Sequence, residues 1–183
     1  AIRPNAKATV DELRAEGIEH VVMLTGDNRP TADAVARQTG VDEVRAELLP
    51  DDKVRAIEEL VHAYGAVAMT GDGVNDAPAM ALATLGIAMG AAGTDAAIET
   101  ADIALMGDDL SRLPWLMRHS RRTLAVIKQN IVASLTVKAV FVVLAFSGHA
   151  SLWAAIAADT GMALLVVLNS LRLLSTRAIK RIT

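Results

Sequence analysis

At 183 residues the chain has room for one modest domain, or for a smaller one with added elements. A formal net charge of −3 and a pI near 5.8 argue against a nucleic-acid binder, which carries a basic face. The lack of any cysteine excludes a disulfide framework, thiolate metal sites and thiol redox chemistry within these residues. Hydrophobic residues make up 52% while aromatics are only 3%, and the apolar excess gathers after Asn130. The opening residues Ala1-Ile2-Arg3-Pro4-Asn5 carry no initiator methionine and no signal-peptide pattern, as expected of a cut inside a longer protein.

Taken in order, Ala6 to Glu16 has helical spacing, with Gly17 as its C-cap. Ile18 to Leu24 is apolar and β-branched on both faces, the pattern of a parallel strand covered by helices. Thr25-Gly26-Asp27-Asn28 is the loop at its end. A helix is expected from Thr31 to about Thr39, and a weak edge strand from Val41 to Ala46. Asp51-Asp52 opens a helix to about Tyr64, with acids in the first turn and Val54, Ile57, Leu60 and Val61 on one face. Gly65 to Met69 reads as a short buried strand, and Ala79 to Ala83 as a helix with Pro78 in its first turn. Strands at 85–89 and 103–106 flank a helix at Asp95 to Thr100. Repeated strand-loop-helix units imply a right-handed, mostly parallel α/β sheet, in which ligands sit at the carboxyl ends of strands.

The stretch Met69-Thr70-Gly71-Asp72-Gly73-Val74-Asn75-Asp76-Ala77-Pro78 falls on such a strand-to-helix loop. Its glycines allow a sharp turn, and Asp72, Asn75 and Asp76 converge as hard oxygen donors. Two carboxylates and an amide suit Mg²⁺, which takes the rest of its shell from water and phosphate. Phosphoryl transfer further needs hydrogen-bond donors and a cation. Thr25 supplies a hydroxyl, Gly26 an approachable N–H, and Lys53 a charge near the strand ends.

Together with Thr25-Gly26-Asp27-Asn28, the string resembles the phosphorylation domain of P-type ATPases, a branch of the haloacid-dehalogenase-like phosphotransferases. The resemblance implies a Rossmann-like parallel sheet in which Asp72, with Asp76, holds Mg²⁺. It implies that Thr25, Gly26, Lys53, Asn75 and Asp76 serve the transferred phosphoryl group, and that Thr25, Gly26, Asp27 and Lys53 face the ATP-derived ligand. The family's nucleophile, the Asp of an Asp-Lys-Thr-Gly motif, does not occur here, nor does a nucleotide-binding domain. These residues alone are therefore not expected to hydrolyse ATP.

Beyond Leu110 the character changes. Arg112 to Lys128 reads as a basic amphipathic helix, with Leu113, Leu116, Leu124 and Ile127 set against Arg118, Arg121, Arg122 and Lys128. Ile131 to Phe146 and Leu152 to Leu168 are two apolar runs, each interrupted by few polar residues, and with their ends they reach the ~20 residues a bilayer asks for. The division expected is thus 1–110 for the phosphorylation domain, 111–129 for the connecting helix, and 130–183 for two spans at about 130–148 and 151–174. Basic residues precede the first span, and Arg172, Arg177, Lys180 and Arg181 follow the second. By the positive-inside rule the sheet domain and the C-terminus are cytoplasmic, in an integral membrane protein expected in a bacterial plasma membrane.

Lys138 lies nine residues before Ser147 and Asp159 eight after Ser151, so at ~1.5 Å per residue both fall at matching depth. Ionisable residues at such depth are functional candidates: a carboxylate to bind a divalent cation, and an ammonium as its built-in counter-ion. Lys138, Asp159-Thr160-Gly161 and Asn169-Ser170-Leu171-Arg172 are similar to the zinc/cadmium/lead-exporting branch of the heavy-metal pumps. That resemblance implies Zn²⁺, Cd²⁺ or Pb²⁺ as cargo. It implies as partners the bilayer and the rest of the same pump: upstream membrane helices, actuator domain and nucleotide-binding domain. A copper or potassium P-type ATPase, or a membrane-anchored phosphatase of the same superfamily, is the alternative.

Overall fold

The computed structural model describes residues 2–72, 75–90, 99–107, 109–149 and 151–174. The chain divides into two compact units, Ala1–Leu116 and Met117–Thr183.

The first unit alternates helices with short parallel strands: α1 (Ala6–Ala15), β1 (Val22–Leu24), α2 (Arg29–Thr39), β2 (Glu43–Arg45), α3 (Pro50–Tyr64), β3 (Ala68–Gly71), α4 (Ala77–Leu82), β4 (Leu85–Met89) and β5 (Ile103–Leu105). β1 pairs with β2, and β3, β4 and β5 follow one another in that order, every pair parallel. The expected sheet is thus parallel, though among the described residues its backbone ladders fall into two groups. A single core joins them: Val22 and Leu24 of β1 pack with Ile57 and Leu60 of α3, Met69 of β3, Met80 of α4 and Ala88 of β4. Met80 is 1% exposed, and burying a side chain of that size stabilises the fold by about 1.5–3 kcal/mol. Val54 and Val61 join the same cluster, which completes the apolar face expected of α3. Helix α4 lies so close to β4 that a Cβ on Gly86 would stand 3.0 Å from the Met80 carbonyl oxygen, so only glycine fits there without a shift.

Several boundaries differ from the expectations, each for a local reason. The first strand is shorter than 18–24, because the Val21 N–H goes to the Asp42 carboxylate at 2.9 Å rather than into a ladder, and Arg14 holds that carboxylate at 2.6 Å. Helix α2 begins at Arg29 rather than Thr31, since Asn28 is its N-cap and accepts the Thr31 N–H at 3.0 Å. The central strand runs Ala68–Gly71 rather than 65–69, because Gly65 takes the left-handed turn out of α3 and strand pairing begins only at Ala68 opposite Leu85. Prolines stand in the first turns of α2, α3 and α4, where their missing N–H costs nothing. The helix expected at 95–100 lies largely outside the described residues.

The amphipathic segment and the first apolar run are one helix, α5 (Arg112–Phe146, 35 residues), rather than separate elements. No glycine or proline stands between Lys128 and Phe146 to break it, and Asn130 spends its side chain on the neighbouring helix instead of capping. The first turns of α5 belong to the sheet unit, where Leu113 and Leu116 pack with Ile87 and Met89. After the turn at 147–149, helix α6 (Leu152–Leu171) follows and tightens into a 3₁₀ turn at Arg172–Leu174. Both helices are long and apolar enough to cross a membrane, and none of the most apolar window of either is buried within the fold. Phe146 is 91% exposed and Trp153 79%. A core helix of a soluble bundle would hide such surface. Arg177, Lys180 and Arg181 lie outside the described residues.

Candidate functional site

The centre of the sheet unit's site is an ion pair. Lys53 Nζ donates to Asp76 Oδ1 at 2.6 Å, and each side chain is only 17% exposed. Lys53 comes from the first turn of α3, its own N–H bonded to the Leu49 carbonyl at 3.1 Å, while Asp76 is the N-cap residue of α4. The loop after β3 is thereby tied to a helix that precedes it in the chain.

Asp52 holds the start of α3 in place. Its carboxylate accepts the Leu49 N–H at 3.0 Å and pairs with Arg55. The Leu49 N–H and then the Arg55 guanidinium hold the Asp52 carboxyl below the usual carboxylate range. This cap was not foreseen from the sequence beyond the acidic character of the turn. Its signal is an acid three residues into a helix that begins with proline.

Gly71 explains the fit of the other partner. A Cβ there would lie 2.8 Å from Asp76 Oδ2 and 2.9 Å from Asp76 Cβ, so the aspartate side chain occupies the space a larger residue would need. Asp72 and Asn75 are exposed on the same loop, beside the half-buried Asp76.

Thr25 stands at the carboxyl end of β1. Its N–H reaches the Arg45 carbonyl at 3.0 Å, its carbonyl accepts the Leu48 N–H at 3.1 Å, and its hydroxyl oxygen accepts the Asp27 N–H at 3.1 Å. With that lone pair engaged, the hydroxyl hydrogen points elsewhere and can be donated. Gly26 passes close to the next loop, where a Cβ would meet the Leu48 carbonyl oxygen at 3.3 Å. Asp27 is exposed, and its carbonyl accepts the Glu47 N–H at 2.9 Å. Glu47 adopts φ 59°, a turn that sequence reasoning missed and that holds the β1 and β2 loops together. The geometry brings Lys53 and Asp76 into contact and keeps Asp72 and Asn75 on their loop. Thr25, Gly26 and Asp27 form a separate loop, whose preceding residue Leu24 shares a core with Met69.

Among the described residues no three His, Asp or Glu side chains gather as a metal cage. Two carboxylates and an amide on one loop are the donor set of an ion that keeps water or phosphate in its shell, and they fit Mg²⁺ better than a fully protein-enclosed metal.

In the second unit, Lys138 and Asp159 line one groove of about 350 Å³ between α5 and α6, together with Val137, Phe141, Val142 and Ala155. They are the charged members of an otherwise apolar wall.

The haloacid dehalogenase-like hydrolase family model matches residues 1–84. A probable cadmium-transporting ATPase of Listeria monocytogenes is 53% identical over 96% of this chain and 25% of its own length. A zinc-transporting ATPase of Synechocystis sp. is 47% identical over 94% of this chain and 24% of its own. The crystal structure of a zinc-transporting PIB-type ATPase in its E2.Pi state superposes with a TM-score of 0.86 at 46% identity, covering 95% of this chain and 28% of that one. The sheet unit thus has the haloacid-dehalogenase-like fold. The chain as a whole is a homologue of the cadmium- and zinc-transporting P-type ATPases, and it spans about a quarter of the length of the curated relatives it matches.

Two outcomes test this local geometry. Gly71→Ala should displace Asp76 and destabilise the sheet unit by about 1–3 kcal/mol in denaturant unfolding, and an unchanged midpoint would contradict the packing. Asp52, whose folded pKa is depressed, contributes stability that is present above its ordinary pKa of about 3.9 and is lost as pH falls through the lower folded value. Protection of the Leu49 amide, corrected for its intrinsic exchange rate, should therefore fall in acid below about pH 4, and protection that persists there would count against the cap.

Proposed function

We propose that the chain is the C-terminal part of an ATP-driven exporter of Zn²⁺, Cd²⁺ or Pb²⁺ that works through an aspartyl-phosphate. The observation that carries this reading is that one carboxylate and one ammonium, Asp159 and Lys138, line a single otherwise apolar groove between the two helices. Such charges are costly in lipid and persist where they handle an ion. The cadmium and zinc pumps among its relatives support the choice of cargo.

In this reading an aspartate outside these residues attacks the γ-phosphorus of ATP, ADP leaves, and water later attacks the same phosphorus to restore the carboxylate and release phosphate. The Thr25 hydroxyl and the Gly26 N–H donate to the phosphoryl oxygens, the Asn75 amide joins them, and Asp27 faces the ligand from the same loop as Thr25. Lys53 supplies the positive charge that offsets the developing negative charge. Asp72, with Asp76 as a second carboxylate, would hold Mg²⁺, which when bound neutralises charge on the transferring group. ATP itself is held mainly by a nucleotide-binding domain elsewhere in the whole protein, and the actuator domain and upstream membrane helices are further partners.

In the hairpin the Asp159 carboxylate is a hard ligand for the exported cation. Lys138, on its flexible four-carbon stem, takes the cation's place against the carboxylate when the cation leaves. Arg118, Arg121, Arg122 and Lys128 on one side of the first span and Arg172 at the end of the second favour a cytoplasmic sheet unit and C-terminus. The bacterial pumps among its relatives support a bacterial plasma membrane as the location.

Asp159→Ala in the full-length pump should abolish zinc-stimulated ATP hydrolysis while the protein still reaches the membrane. Wild-type stimulation in that variant would remove Asp159 from the cation's path.

A further inference from the structure

Besides Lys138 and Asp159, the hairpin carries a second polar cluster at its open end, joined by side-chain hydrogen bonds between helices. Asn169 Nδ2 on α6 donates to Asn130 Oδ1 on α5 at 2.8 Å, and Asn130 Nδ2 donates to Ser170 Oγ at 3.1 Å. The Ser170 hydroxyl passes its own hydrogen to the Val166 carbonyl at 2.8 Å, so it accepts from one helix and donates within the other. Arg172 Nη1 donates to Asn169 Oδ1 at 2.9 Å, and the Arg172 carbonyl accepts from Arg122 Nη2 at 3.4 Å. Both ends of the Asn130 amide are therefore used across the interface. Sliding either helix by one turn, about 5.4 Å, would break both bonds at once.

The cluster also determines where the two charges go. Lys138 is eight residues beyond Asn130, and Asp159 is ten residues before Asn169. At about 100° per residue, each charge stands roughly 80° round its helix from the clamp residue, one clockwise and the other anticlockwise when both are viewed from the clamp. On two antiparallel neighbours these opposite rotations lead to the same flank. Along the axis the offsets are about 12 and 15 Å, so the charges come within one turn of each other in height. This agrees with the groove that both line. A different register would turn one of them away.

We propose that Asn130, Asn169 and Ser170 form a register clamp whose role is to position Lys138 and Asp159 on one flank of the hairpin for cation handling. They are positioning residues and do not touch the ion. The functional half of the inference rests on Asp159 being a cation ligand, as proposed above, whereas the register itself does not.

The test uses the full-length pump in lipid nanodiscs with Asn130→Leu, Asn169→Leu and the double variant. Each single variant should raise the Zn²⁺ concentration for half-maximal ATP hydrolysis about three- to tenfold, the range expected for interhelical hydrogen bonds in membranes, with kcat at saturating Zn²⁺ kept within about twofold. The double variant should lose clearly less than the product of the two single losses, because the Asn130–Asn169 bond is already gone in each single variant. Spin labels on Leu135 and Leu164, read without metal, should show a broadened distance distribution in all three variants. Multiplying losses in the double variant, or label distances that stay as in the wild type, overturn the clamp. Asp159→Ala is measured alongside. If it keeps full zinc stimulation, the cation reading fails, and the metal-free label distances still decide the clamp.

Discussion

The bond between Lys53 and Asp76 is the constraint around which the sheet unit closes. Two largely shielded charges at 2.6 Å attract strongly, yet each has given up most of its water, so the pair is useful only while both members are present. Its partners come from different elements: the first turn of α3 and the N-cap of α4. The pair therefore does the work of a cross-link between the helix that follows β2 and the loop that follows β3. Gly71 makes room for the aspartate, and the Asp52 cap sets the helix end from which the lysine reaches out. In the proposed function the same two groups would also face a phosphoryl oxygen and Mg²⁺.

Much of this could be read from residue order. The apolar strands, the proline-led helices and the oxygen-rich loop from Asp72 to Asp76 are local patterns, and they reappear as β1, β3, α3 and α4 within a few residues. What stayed hidden depends on partners distant in sequence. Val21 leaves its strand because Asp42, positioned by Arg14, offers a better acceptor. Glu47 adopts a left-handed turn because the Asp27 carbonyl is there to receive its N–H. That Lys53 reaches Asp76, 23 residues on, follows from packing of α3 against α4 around Ile57, Leu60 and Met80, which no periodicity announces.

The hairpin shows the opposite balance. Its two apolar runs and their lone charges are plain in composition, and the match in depth of Lys138 and Asp159 follows from counting. The continuity of α5 through Asn130 was not legible, because the residue pattern changes there from basic amphipathic to apolar. Only the amides of Asn130 and Asn169 facing each other show that its polarity is spent between helices. In a medium without water such bonds, together with close packing, are what hold one helix to another, since the hydrophobic effect gives no preference between a lipid tail and a leucine.

The most direct measurement is a double-mutant cycle on the central pair, with Lys53→Met, Asp76→Asn and the combination, followed by denaturant unfolding of the sheet unit. A pair that organises the site should show a coupling of about 1–3 kcal/mol, the double variant being much less damaged than the sum of the singles. Strictly additive losses would mean that the two side chains do not depend on each other, and the account built on their contact would be wrong.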